Sequence, residues 1–162
     1  MTGSEYIRQM VEVELLVGEL YEYFSVKFRD TDRAEEFWKR LAVEEKEHAA
    51  KLMEPLPESV TDQLTELAPE DPLHLAAALI ELQRMLKTSR DKPLTIQAAI
   101  SLAFGIEFSL AEKHVLIRPA SSDPRWSDLI SDLIVADTAH VERIRLFGHE
   151  HQVYLPDERP PE

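Results

Sequence analysis

The sequence predicts an all-α fold: an antiparallel four-helix bundle, built as two helical hairpins joined by a long crossover that carries a shorter accessory helix. Three observations predict it. Glycine is scarce, with four residues in a chain of 162. The long segments between prolines repeat their apolar residues every three or four positions, which is the period of a helix face and not of a strand. The prolines gather at segment ends and in one central stretch, where a residue with no amide proton and a fixed φ disrupts least.

The first helix is expected over 4–29, opened by Thr2-Gly3-Ser4-Glu5, a capping-box pattern in which Thr and Glu side chains each satisfy a free amide. Arg29-Asp30-Thr31-Asp32 makes a short turn into a second helix. A second box, Asp32 to Glu35, is expected to open that helix, which must end before Pro55. The short turn makes the two antiparallel neighbours. Pro55, Pro57, Pro69 and Pro72 lie among polar residues, which predicts a crossing connection along the outside of the bundle. Asp71-Pro72, a cap followed by proline at the first helical position, opens the accessory helix through Leu79, Leu82 and Leu86. The third long helix runs from near Pro93 to before Pro119, and the fourth from Asp123-Pro124 to about His151. One domain is expected over 1–155, followed by a disordered tail over 156–162.

Composition limits what such a domain can do. At 44% hydrophobic residues the chain can bury a core without disulfides. It has no apolar run long enough to span a bilayer, and Met1 to Glu5 lack the basic start and apolar middle of a signal peptide, so the expected location is the cytoplasm. Cysteine is absent, which excludes disulfides, thiol catalysis, iron–sulfur clusters and Cys-x-x-Cys modules within this sequence. Any metal ligands must be oxygen and nitrogen. The formal charge of −13 argues against nucleic-acid phosphate and anionic membrane surfaces as partners. It suits cations, although acidity also serves solubility.

The acids and histidines repeat in order: Glu19, then Glu45-Lys46-Glu47-His48, then Glu107, then Asp137-Thr138-Ala139-His140. Each half reads carboxylate, then carboxylate-x-x-His. In the second helix Trp38, Leu41, Ala42, Glu45, His48, Ala49 and Leu52 form one stripe, with the acid and histidine in its middle. The fourth helix has Ile130, Leu133, Asp137, His140, Val141 and Ile144, and the third has Ile100, Ala103, Phe104, Glu107, Leu110, Ala111 and His114. In the first helix the stripe is expected through Leu15, Leu16, Glu19, Tyr23 and Val26. A lone ionised carboxylate in a core costs several kcal/mol, against roughly 5–15 kcal/mol of net stability for a whole domain. Lys39, Lys46, Lys51, Arg143 and Arg145 fall off the stripes. Two divalent cations would neutralise four carboxylates charge for charge, with two imidazoles completing the coordination.

Other candidates are weaker. Glu44 reaches His48 at i+4 and is the main alternative ligand, whereas Glu12, Glu14, Glu22 and Glu47 are expected on solvated faces. Tyr23, one turn beyond Glu19, is a candidate to donate a hydrogen bond to a ligand carboxylate or supply a proton. His114 fits a core or helix-end residue better than a ligand, and His149-Glu150-His151 fits a frayed terminus better than a chelate. Phe28 and Phe147 are expected to be exposed and available for a homodimer interface.

The stretch Phe37 to Ala49, with its Glu44-Glu45-Lys46-Glu47-His48, and Ala136-Asp137-Thr138-Ala139-His140-Val141 resemble the second and fourth helices of the ferritin-like superfamily, specifically its rubrerythrin-like branch. Glu19 and Glu107 stand for the single glutamates of the other two helices, and the resemblance covers most of 5–150 outside the segment 56–90. It implies a ferritin-like bundle holding two iron ions, or manganese, that reacts with hydrogen peroxide or dioxygen or oxidises ferrous iron. In that scheme Glu45 and Asp137 lie between the ions, Glu19 and Glu107 cap one ion each, and His48 and His140 bind one each. Three departures stand out: Asp137 replaces a glutamate, Leu110 occupies the place of a second glutamate in the third helix, and no rubredoxin-type module is present. Electrons for turnover are therefore expected from a separate donor protein. Two other classes are a metal carrier or structural metal protein without turnover, and an interaction scaffold whose site has fallen empty.

Overall fold

The computed structural model describes residues 1–67 and 72–156. Among them are six α-helices, no strand, and one 3₁₀ turn at Arg118–Ala120. They divide into two compact units, Met1–Pro93 and Leu94–Glu162.

In the first unit, α1 (Gly3–Lys27) and α2 (Ala34–Leu52) form an antiparallel hairpin, and α3 (Glu58–Leu67) and α4 (Pro72–Asp91) pack on α1. The capping box at Thr2 is complete: Glu5 N–H donates to Thr2 Oγ1 at 3.2 Å, and Thr2 N–H to Glu5 Oε2 at 2.7 Å. Pairings along the hairpin run in opposite directions, with Gly18 beside Ala42 and Glu45, and Tyr21 and Phe24 against Trp38 at ring separations of 5.5 and 5.1 Å. Gly18 matters for the acid it faces, since a Cβ there would lie 3.3 Å from Glu45 Cβ. The start of α2 differs from expectation. Arg33 takes the left-handed conformation at φ 56°, and no side chain caps the helix. The turn is instead closed by backbone bonds from Thr31 N–H to Phe28 O and from Ala34 N–H to Thr31 O, so an Asp32 box is not needed.

The crossing connection is corrected as well. Its first part is a helix, α3, begun by bonds from Val60 and Thr61 N–H to Pro57 O. The prolines at 55 and 57 precede it and leave Val60 and Leu64, four residues apart, to bury one face. Gly3 lets α3 approach: its N–H donates to Thr65 Oγ1 at 2.6 Å, and a Cβ there would fall 2.0 Å from Thr61 O. The accessory helix α4 buries Leu75, Leu79, Leu82 and Leu86. Its expected cap, Asp71, and the tail 157–162 lie outside the described residues.

The second unit is the hairpin of α5 (Ile96–Ile117) and α6 (Pro124–Glu150). Thr95 Oγ1 caps α5 by accepting from Ala98 N–H at 3.2 Å. Asp123 Oδ1 caps α6 by accepting from Arg125 N–H at 2.9 Å, with Pro124 at the first helical position. Phe28 and Phe147, expected to be exposed, are buried: Phe28 caps the end of α1 with its ring 6.1 Å from that of Phe24, and Phe147 lies on the packed face of α6. Among the described residues no helix is long and apolar enough to cross a membrane.

Candidate metal centre

Every residue of the α2 stripe, from Trp38 through Glu45 and His48 to Leu52, is buried. The three- and four-residue steps that bury Trp38 and Leu41 against α1 carry Glu45 and His48 inward with them. From α1 they meet Glu14, which is 1% exposed. Glu14, Glu45 and His48 each offer a ligand atom, and these atoms lie within 4.8 Å of one another. His48 Nδ1 is 3.3 Å from Glu45 Oε2 and 3.7 Å from Glu14 Oε2. Burial opposes a charge on His48, but the two carboxylates outweigh it and push the imidazole up to about 10. Without metal, a proton on His48 is the compensating cation of this set.

The second unit builds a related set. The stripes of α5 and α6 are buried throughout, with Glu107 and Asp137 at 0% exposure. His140 Nδ1 lies 3.2 Å from Glu107 Oε2. His114, two turns further along the same face of α5, places its Nδ1 2.6 Å from Asp137 Oδ2. Asp137 Oδ1 is buried and has no hydrogen-bond partner among the described residues. A buried carboxylate oxygen left in this state is costly.

The donor chemistry of the first set fits a divalent ion, and the second unit offers a matching donor pair in Glu107 and His140. Metal–nitrogen and metal–oxygen bonds of about 2.1 Å at right angles hold two donor atoms about 3 Å apart. The His48–Glu45 separation of 3.3 Å and the His140–Glu107 separation of 3.2 Å are close to that value. The contact of 2.6 Å between His114 and Asp137 Oδ2 is too short for it and has the length of a charge-assisted hydrogen bond.

Of the residues singled out in the sequence, Glu45, His48, Glu107, Asp137 and His140 are buried beside a partner of this kind, and Glu19 is not. Glu19 lies on the solvent side of α1, about half exposed, with its Oε1 accepting from Arg90 at 2.7 Å. Leu15 and Val26, of the same expected stripe, are exposed, whereas Tyr6, Met10, Val13, Val17, Tyr21 and Phe24 are buried. The inward acid of α1 is therefore Glu14, placed on a solvated face by the sequence reading. The error has a physical source, since α1 packs against α2, α3 and α4 at once and is apolar on more than one side. The usable signal was the aromatic row Phe28, Phe24, Tyr21, which continues back through Val17 to Glu14.

Tyr23 is corrected too. Its hydroxyl donates to Ser89 O at 2.6 Å, which ties it into the seam between α1 and α4. Glu44, the alternative ligand, accepts from Arg40 at 3.1 Å. His149 and His151 stack against Tyr154 and Phe147 at the end of α6. No family model matches the chain, and no curated protein or solved structure matches it.

Proposed function

We propose that the protein is a dinuclear metal protein in which Glu14, Glu45 and His48 supply one half of the ligand set and Glu107, Asp137 and His140 the other. The carrying observation is the buried group of Glu14, Glu45 and His48, whose ligand atoms lie within 4.8 Å of one another. Two divalent ions balance the four carboxylates, and the repeated order of carboxylate and carboxylate-x-x-His supports one ion for each half of the repeat. Iron and manganese both suit this oxygen and nitrogen set.

The activity this supports is oxidoreduction with hydrogen peroxide or dioxygen, or oxidation of ferrous iron as substrate. When bound, a pair of iron ions supplies two one-electron couples, which match the two-electron, two-proton reduction of hydrogen peroxide to two waters. The chain's own residues hold the ions at fixed positions, exclude bulk water through the apolar stripes around them, and supply neutralising charge. A separate donor protein returns the electrons, and the working form is a homodimer in the cytoplasm. A second reading, an ion carrier without turnover, is favoured by one observation: Glu45, Glu107 and Asp137 are fully buried, which leaves a substrate little access.

Anaerobic loading of the full chain with ferrous iron, followed by elemental analysis, tests the metal reading, and two ions per chain are expected. Magnetic coupling between the ions is expected if they form one centre. Absence of bound metal sinks the proposal. Stopped-flow mixing of the loaded protein with peroxide or oxygen separates the readings, since a carrier shows no fast oxidation.

A further inference from the structure

Among the described residues, His114 is the buried histidine left outside the repeated order of acids and histidines, and its contact with Asp137 is shorter than that between His140 and Glu107. Its Nδ1 stands 2.6 Å from Asp137 Oδ2, while Oδ1 of the same carboxylate is buried with no hydrogen-bond partner among the described residues. His114 and Asp137 are 3% and 0% exposed, so bulk solvent does not reach either group. An ionised carboxylate only accepts hydrogen bonds, so the Nδ1 facing it carries the proton.

From this geometry we infer that His114 is a positioning residue that orients Asp137 toward a metal ion with Oδ1 as the ligand atom. The inference rests on the metal-binding reading above. The hydrogen bond takes up acceptor capacity at Oδ2 and fixes the carboxylate's orientation, so Oδ1 is the oxygen left for an ion. The shortness of the side chain is part of the device. Asp137 lacks the methylene a glutamate would have, and the imidazole of His114, seven residues after Glu107 on the same face of α5, reaches its outer oxygen. In the first unit the residue seven after Glu14 is Tyr21, whose ring packs on Phe24 and Trp38. The two halves of the repeat therefore coordinate differently, and the difference resides in His114.

The test titrates the full-length, metal-free chain with Co(II) in a calorimeter, for wild type, His114→Leu and His114→Asn. Asparagine places an N–H near the position of Nδ1 and keeps the hydrogen bond, whereas leucine removes it. Wild type should take two ions, and His114→Leu should lose about 10–100-fold in affinity for one of them, as removal of a hydrogen bond that orients a ligand typically does. His114→Asn should stay close to wild type. Two ions in wild type with unchanged binding by His114→Leu overturns this inference alone, as does an equal loss in His114→Asn, which would mark a purely spatial role. No ion in wild type overturns the underlying metal reading as well. A second measurement needs no variant: ¹⁵N-histidine spectra of the wild type with and without Zn(II) should show His114 Nδ1 protonated in both states. Loss of that proton on loading would make His114 a ligand itself and overturn the positioning role.

Discussion

In the first hairpin Glu14, Glu45 and His48 surround a shared space, with the imidazole 3.3 and 3.7 Å from the two carboxylates. In the second, His114 clasps Asp137 at 2.6 Å, and Glu107 and His140 stand 3.2 Å apart. The same order of acids and histidines thus ends in two electrostatic arrangements. One set is compensated, without metal, by a proton on His48 shared between two acids. The other gives one acid its own donor and leaves that acid's second oxygen without a hydrogen-bond partner among the described residues. A sequence repeat fixes which residue types face inward, but the neighbour each one meets depends on the opposite helix.

The largest expected effect breaks or upholds the first set. Glu14→Ala and Glu45→Ala should each lower affinity for one ion by about 100-fold or more, since each removes a direct ligand rather than a supporting group, whereas Glu19→Ala should leave both ions bound. Elemental analysis after Co(II) or ferrous loading checks this. Metal loss in the Glu19 variant with retention in the Glu14 variant would return the ligand role to Glu19.

Next is the compensating proton. In the metal-free chain His48→Leu leaves two buried carboxylates without their cation and should cost about 3–5 kcal/mol in denaturant unfolding. The pH dependence has a definite sign. His48 is raised from 6.5 unfolded to about 10 folded, so its stabilisation is complete below about 6.5 and is lost as pH rises through about 10. Stability of the metal-free wild type should therefore fall across that alkaline window more steeply than that of His48→Leu. Parallel curves would remove the proton from its assigned place.

The smallest effect concerns Tyr23. Tyr23→Phe should lose about 1 kcal/mol, the worth of one hydrogen bond to the Ser89 carbonyl, and keep its full metal content. A change in metal content would reconnect Tyr23 to the site.

Much of this was legible in the sequence. The stripes of α2, α5 and α6 could be read residue by residue, because in each the acid and histidine positions share one phase with residues that the fold buries. Thr2-Glu5 and Asp123-Pro124 were legible because a cap is a local bond between neighbours. α1 was not legible in the same way. It packs against three other helices, so two phases of its pattern were plausible, and the choice between Glu14 and Glu19 needed the partners. The helix α3 was hidden by the prolines around it, and its seating depends on Gly3, far from it in the chain.

By itself the sequence determined the all-helical class, the positions of the α6 and α1 starts, and the inward placement of Glu45, His48, Glu107, Asp137 and His140, since all of these follow from periodicity and short-range bonds. Tertiary structure alone decided that Glu14 replaces Glu19 and that His114 holds Asp137. Both depend on which side chain a different helix brings within hydrogen-bond reach, and a contact between residues 34 or 23 positions apart leaves no trace in local pattern.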